Sequence, residues 1–160
     1  MKLVNIISLT IVTLFIMSSC NNTRVYNKYQ HIEDCTWHQD SAISFSFNAK
    51  DTINHYNVML NIRHNSEFRH QNLWLFTTST DPLGNIAKDT LECYLYDNIG
   101  RALGQDYFYI YEMPLIYMNG IKFHKQGEYK FEIHQAMRDS LLKGIESLGL
   151  TIEKANNGKE

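Results

Sequence analysis

Tyr56-Asn57-Val58-Met59-Leu60-Asn61-Ile62-Arg63 is the stretch that decides the fold. Tyr56, Val58, Leu60 and Ile62 point one way, while Asn57, Met59, Asn61 and Arg63 point the other. This period of two is the pattern of a half-buried antiparallel strand. Upstream, Ala42 to Phe47 alternates in the same manner, with Ile43, Phe45 and Phe47 opposite Ser44 and Ser46. Downstream, Asn72 to Thr80 sets Leu73, Leu75 and Thr77 against Trp74, Phe76 and Thr78. Its beginning is apolar on both sides, which predicts a central strand.

Turn chemistry separates these runs. Asp81-Pro82-Leu83-Gly84-Asn85 predicts a turn because Pro presets one dihedral and Gly accepts positive φ. Strand signals continue through Asp89–Asp97, with further turns at Asn98-Ile99-Gly100 and Gly104–Asp106. Tyr107–Met118 is aromatic-rich, and Pro114 marks an edge or a bend within it. Ile121–His124 and Tyr129–Gln135 flank Gln126-Gly127 as an expected hairpin. Helical spacing is confined to Met137, Leu141, Leu142, Ile145 and Leu148, and predicts one short helix weakened by Gly144. A last strand is expected at Leu150–Glu153. The expected fold class is all-β: an antiparallel β-sandwich of about eight strands with one short helix near the C-terminus. Ten Tyr, eight Phe and two Trp suit that class.

The N-terminus carries a different signal. Lys2 is followed by a mostly apolar run over residues 3–17, then Ser18, Ser19 and Cys20. A charged start, a short apolar stretch and small residues before a Cys form the pattern of a lipoprotein signal peptide. The alternatives are an ordinary secretory signal or a transmembrane anchor. The run is short for a bilayer, and no charged stop-transfer cluster follows it. Residues 1–19 are accordingly expected to be removed, and 20–30 to form the lipidated Cys20 and a tether. Residues 31–155 are expected as a single β-sandwich domain, and 156–160 as a disordered tail. Two or three acyl chains on Cys20, each buried methylene adding ~0.8 kcal/mol, would anchor the chain stably. This predicts a lipid-anchored protein of the cell envelope. Asn21-Asn22-Thr23 lacks an acidic cluster, which favours the outer membrane facing the periplasm.

Fifteen Lys and Arg against 17 Asp and Glu leave a formal charge of −2 and no basic patch, so nucleic acid is not an expected partner. Cys35 and Cys93 can bridge in an oxidising envelope, yet Cys93 falls in phase with Leu91 and Leu95, which favours a buried thiol. Seven His are scattered without paired ligand spacing, so no metal and no cofactor is expected, although His64 and His70 flank an irregular segment and can approach each other. Trp37-His38-Gln39-Asp40 has acid–base groups but no nucleophile motif accompanies it, and Asp89, Asp97 and Asp106 lack calcium-loop spacing. No catalytic residue is assigned, and an enzyme is not expected.

Aromatics carry the better functional signal. Trp74 and Phe76, or Tyr107, Tyr109, Tyr111 and Tyr117, either present rings on an outer sheet face or fill the second side of the core. The candidate partner-binding face is Trp74, Phe76, Tyr107, Tyr109 and Tyr111.

Trp37 and Phe45 are followed by Tyr56-Asn57-Val58 leading to Arg63-His64-Asn65, and by Asn72-Leu73-Trp74-Leu75-Phe76. Pro82, Gly84, Asp89-Thr90-Leu91, Gly100 and Gly104 come next. In order and spacing these motifs resemble the gliding-motility lipoproteins of the GldH type. The resemblance is strongest in Gly127-Glu128-Tyr129-Lys130-Phe131, Gln135-Ala136-Met137-Arg138, Leu141-Leu142-Lys143-Gly144-Ile145 and Gly149-Leu150-Thr151-Ile152-Glu153-Lys154. Gln105 and Tyr107 depart from it, standing where a second Gly and a more acidic loop are expected. The resemblance implies a non-catalytic lipoprotein of the gliding machinery, whose sister components also serve type IX secretion. Its implied partners are the membrane, through the N-terminal lipid, and other envelope proteins of that machinery. A carbohydrate- or ligand-binding β-sandwich lipoprotein is the alternative, since Trp and Tyr rings also stack on sugars.

Overall fold

The alternating stretch around Leu60 forms strand β4 (Tyr56–His64), at the centre of a five-stranded antiparallel sheet in the computed structural model, which describes residues 23–155. Expectations for the signal segment, Cys20 and the tail at 156–160 lie outside those residues. The other strands are β1 (Arg24–His31), β2 (Thr36–His38), β3 (Ile43–Ala49), β5 (Asn72–Thr80) and β6 (Ile86–Tyr94). They are followed by β7 (Gln105–Tyr107), β8 (Ile110–Ile121), β9 (Gly127–Gln135), β10 (Leu141–Lys143) and β11 (Ile145–Lys154). One sheet runs β1-β11-β4-β8-β7, a second runs β3-β9-β5-β6, and β2 pairs with β10 as a short ribbon. All pairings between these strands are antiparallel. The core lies between the two larger sheets, which makes the architecture a β-sandwich.

Inward residues of β4 (Val58, Leu60, Ile62) face those of β5 and β9 (Leu73, Leu75, Phe131, Ile133), all almost fully buried. Trp37 is 1% exposed, and its indole N–H donates to the Ser41 carbonyl at 2.9 Å. Burial of aliphatic and aromatic side chains at roughly 25 cal/mol per Å² is the main stabilising term. β5 is central, between β9 and β6, as its two-sided apolar start predicts. From Met113 onward β8 has no partner on its outer side, so Pro114 sits where a missing N–H costs no ladder bond.

Three expectations are corrected. The short helix near the C-terminus is absent: Leu141–Lys143 and Ile145–Lys154 are strands. β11 lies between β1 and β4 and is buried on both faces, so its apolar residues cease to alternate and mimic helical spacing. Gly144 breaks the run at φ +87°, where a Cβ would lie 2.0 Å from the Phe68 backbone nitrogen. The hairpin expected at Gln126-Gly127 is also absent, because β8 and β9 belong to different sheets. Phe123, 2% exposed, sits in the crossing and packs on Phe47, Tyr56 and Tyr129 at centroid distances of 5.2, 5.4 and 4.8 Å. Finally, the edge strand begins earlier than expected, at Arg24, within the stretch assigned to the tether.

Cys35 and Cys93 are free thiols. Cys93 is 2% exposed, and burial pushes its pKa up to about 11, as suits a small core hydrophobe.

Candidate protein-interaction surfaces

The sandwich has two chemically distinct ends. Register pairs Arg24 with Glu153, and Tyr56 with both Lys154 and Ile121, so the start of β1 lies at one end, the tether end. His31 pairs with Ser147, and His64 with Ile145 and Tyr111, so these residues mark the far end, roughly 25 Å away along the eight residues of β1. Arg24, Lys50, Lys122, Lys125 and Lys154 accompany Asp51, Asp81, Glu128 and Glu153 at the tether end. The far end carries Glu33, Asp34, Asp40, Glu67, Asp97, Asp106 and Asp139 against Arg69, Arg101, Arg138 and Lys143, a net acidic balance.

The outward faces of the two sheets differ as much. On the five-stranded sheet, Tyr29 of β1 lies over Gly149 of β11, where a Cβ would come within 2.5 Å of its ring. The Arg63 guanidinium stands 4.2 Å from the Tyr29 ring centroid. Arg63 Nε donates to Glu112 at 2.6 Å, and the Tyr29 hydroxyl donates to the same carboxylate at 3.1 Å. Burial and the Glu112 charge together push the Tyr29 phenol up to about 12. Beside them, the Asn61 amide donates to the Thr151 hydroxyl at 2.8 Å, and that hydroxyl donates to Asn27 at 3.0 Å. Asn61 and Thr151 are both buried.

On the four-stranded sheet, Trp74 and Phe76 face solvent, 39% and 55% exposed. Phe76 pairs across to Thr90 and His134, and Trp74 to Glu92. Tyr94, 50% exposed, extends the patch along β6, its phenol held above its ordinary pKa by hydrogen bonding to Glu92. Met137 closes one side, its sulfur accepting from the Trp74 backbone N–H at 3.3 Å.

The remaining candidate aromatics sit elsewhere. Tyr107 and Ile110 pair at the end of a two-residue hairpin loop, Phe108-Tyr109, which joins β7 to β8. Both loop residues have positive φ, +50° and +74°, the requirement of a type I′ turn. Tyr109 and Phe108 are 85% and 95% exposed. Left-handed backbone at residues carrying a Cβ costs about 1–2 kcal/mol each. Tyr111 instead turns inward and stacks on His64 at 5.5 Å, and Tyr117 meets Phe131 edge-on. The five residues expected as one face therefore divide into a sheet patch, a hairpin tip and a core ring.

Phe108 and Tyr94 were not among the sequence candidates. Phe108 sits in a turn that lacks the Asn-Gly signature by which such turns are found, so its sequence reads as continuous strand.

His64 and His70 do not meet as a pair. They lie on Phe68, at 6.0 and 5.6 Å, and His70 instead bonds Asp139 at 2.8 Å. His64 is fully buried among Phe68, Tyr96 and Tyr111, and neither ring nitrogen finds a hydrogen-bond partner among the described residues. Burial pushes its pKa down to about 4. Trp37 is core, while His38 at the end of β2 and Asp40 in the turn beyond it are exposed. Asp97 accepts from the backbone N–H groups of Ile99 and Arg101 at 3.0 and 2.9 Å, which makes it a turn residue. Among the described residues, no three His, Cys, Asp or Glu side chains converge as a metal-ligand set.

Residues 24–152, from the first strand to the last, match the family described as GldH lipoprotein. The chain belongs to that family. It is 37% identical over 154 residues to the gliding motility lipoprotein GldH homolog of Christiangramia forsetii, covering 92% of this chain and 94% of that one. To the gliding motility lipoprotein GldH of Flavobacterium johnsoniae it is 32% identical over 146 residues, covering 87% and 90%. A solved carbohydrate-binding module in complex with β-1,4-galactotriose covers 85% of this chain at 9% identity, with a TM-score of 0.36, too low to argue from.

Proposed function

We propose that this family member is a non-catalytic, lipid-anchored protein that supports a protein assembly of gliding motility and type IX secretion. Cys20 carries the lipid, and the domain stands on the periplasmic face of the outer membrane. Membership of a family of lipoproteins supports the anchor, and the names of both relatives support the motility role. The observation that carries the assembly role is the solvent-facing Trp74–Phe76–Tyr94 patch on an otherwise well-packed sandwich. Aromatic rings of this size serve as anchors at protein interfaces.

The test is a deletion strain complemented by plasmid-borne variants. Wild-type protein is expected to restore surface spreading and secretion, and Trp74→Ala/Phe76→Ala to restore neither. Cys20→Ala is expected to lose membrane association. Normal spreading and secretion in the deletion strain would sink the reading. Saturable glycan binding abolished by Trp74→Ala would replace it with a carbohydrate-binding one.

A further inference from the structure

The Phe108-Tyr109 turn is the most exposed aromatic element described, and its backbone runs against its sequence. A type I′ turn needs positive φ at both central residues, and Asn-Gly is the pair that supplies it without strain. Here both positions hold bulky aromatics, at φ +50° and +74°. With 95% and 85% of their surface in solvent, the two rings gain almost no packing within the domain to offset that strain. Strained and solvated apolar residues together direct attention to something outside the chain.

Placement narrows what that is. The turn belongs to the far end, since its neighbour Tyr111 pairs with His64, whereas β1 starts at the opposite end, four residues after Cys20 in sequence. A lipid on Cys20 thus holds the other end of the sheet at the bilayer, with the tip roughly 25 Å away along β1. The far end is also acidic, with Asp106 two residues from the tip, which repels anionic lipid headgroups and favours a basic surface.

We propose that Phe108 and Tyr109 form a docking tip that seats in an apolar pocket, rimmed by basic side chains, of a second envelope protein on the side away from the membrane that holds the anchor. This rests on the assembly reading above and specifies where that assembly grips. Strand pairing at Tyr107–Ile110 presents the rings preorganised, so little ordering entropy is lost on docking.

Replacing the tip by its ideal turn separates docking from folding. The full chain with Phe108→Asn/Tyr109→Gly is expected to melt several degrees above wild type, because the strain is gone. In the deletion strain it is nonetheless expected to reduce spreading and secretion at least tenfold. A melting point below wild type would show that the turn is not strained, and full rescue by the variant would show that the tip does not dock; either overturns the proposal. The unacylated mature chain, residues 21–160 made without the signal segment, is expected not to float with phosphatidylethanolamine/phosphatidylglycerol vesicles. Flotation that the Asn-Gly variant abolishes would make the tip a lipid contact and overturn the protein partner. A deletion strain that spreads and secretes normally removes the assembly reading itself. A defective deletion rescued by the variant removes only the tip.

Discussion

The two outward sheet faces of this sandwich are built from similar residue types and do opposite things with them. On the five-stranded face, Tyr29 is underlain by Gly149, covered by Arg63 and bonded to Glu112, so its ring and hydroxyl are both spoken for within the chain. On the four-stranded face, Trp74, Phe76 and Tyr94 stand between 39% and 55% exposed, with Thr90, Glu92 and His134 paired beside them but not covering them. An aromatic on a sheet surface is therefore not in itself a binding signal. What separates the two faces is whether the chain supplies the ring's partners, and substitutions on each face should divide stability from function accordingly.

The sharpest break is Gly149→Val. Its Cβ would fall 2.5 Å from the Tyr29 ring, which must swing out and forfeit both the Arg63 stack and the bond to Glu112. Overpacking and the loss of a hydrogen bond to a charged group together cost about 4 kcal/mol. Urea unfolding of the purified protein checks this. A loss under 1 kcal/mol would mean that the five-stranded face is no more committed than the other.

Next in size is the acid response of the interior beneath the far end. The folded-state pKa of His64 is about 4 against an ordinary 6.5, so the unfolded chain binds a proton that the folded chain refuses. The stability this gives is complete above pH 6.5 and is lost as pH falls toward 4. At 1.36 kcal/mol per unit, the loss is about 3 kcal/mol. His64→Phe is expected to remove this part of the pH dependence. Since two unpaired ring nitrogens leave the core with it, the variant should also be slightly more stable at pH 7. Parallel pH–stability profiles for the two proteins would refute the assignment.

Glu112→Ala probes the sealed face more gently. Glu112 accepts from both Arg63 and Tyr29, but Arg63 is partly exposed and can turn to water once the carboxylate is gone. The expected cost is about 1–2 kcal/mol. The Tyr29 phenol should at the same time titrate below its present value of about 12, because the carboxylate that disfavours phenolate has been removed. Ultraviolet titration of the ionisation reads this, and an unmoved Tyr29 would place the cause in burial alone.

How legible each face was in the sequence follows from the same physics. β4 and β5 could be read directly, since one side of each faces the core and the period of two survives. The end of β11 was read as the strand expected at Leu150–Glu153, but its first half was not, because a strand covered on both sides presents apolar residues without alternation, and Ile145 and Leu148 with Leu141 and Leu142 of β10 happen to fall at helical steps. The β8–β9 connection was misread because Gln126-Gly127 has turn chemistry, whereas Phe123, which carries the crossing between sheets, looks in sequence like any strand aromatic. Trp74 and Phe76 were found by phase, but phase could not say whether the second side was covered. The tip was half found, through Tyr107 and Tyr109, and Phe108 was missed because a type I′ turn without Asn or Gly leaves no local mark.

The smallest effect on stability belongs to the open face, and there the comparison is most exposed to failure. Trp74→Ser/Phe76→Ser removes half-exposed rings whose cross-strand neighbours are Glu92, Thr90 and His134, while Leu73, Leu75 and Thr77 on the reverse of β5 stay buried. Both positions lie within regular strand, so no turn or cap is disturbed, and the fold should lose no more than about 0.5–1 kcal/mol. Surface spreading and secretion in the complemented deletion strain are nevertheless expected to fall to the level of the deletion itself. Combining these substitutions with the Asn-Gly tip then tests whether the patch and the tip grip one partner. Both lie toward the far end, on different sheets. If one protein spans them, the combined variant should be no worse than either alone in cells, because each already breaks the same assembly, whereas two separate partners would leave each single variant with part of the activity. Full activity in Trp74→Ser/Phe76→Ser would mean that its exposed rings are ordinary surface aromatics. The unsealed face would then differ from the sealed one only in packing.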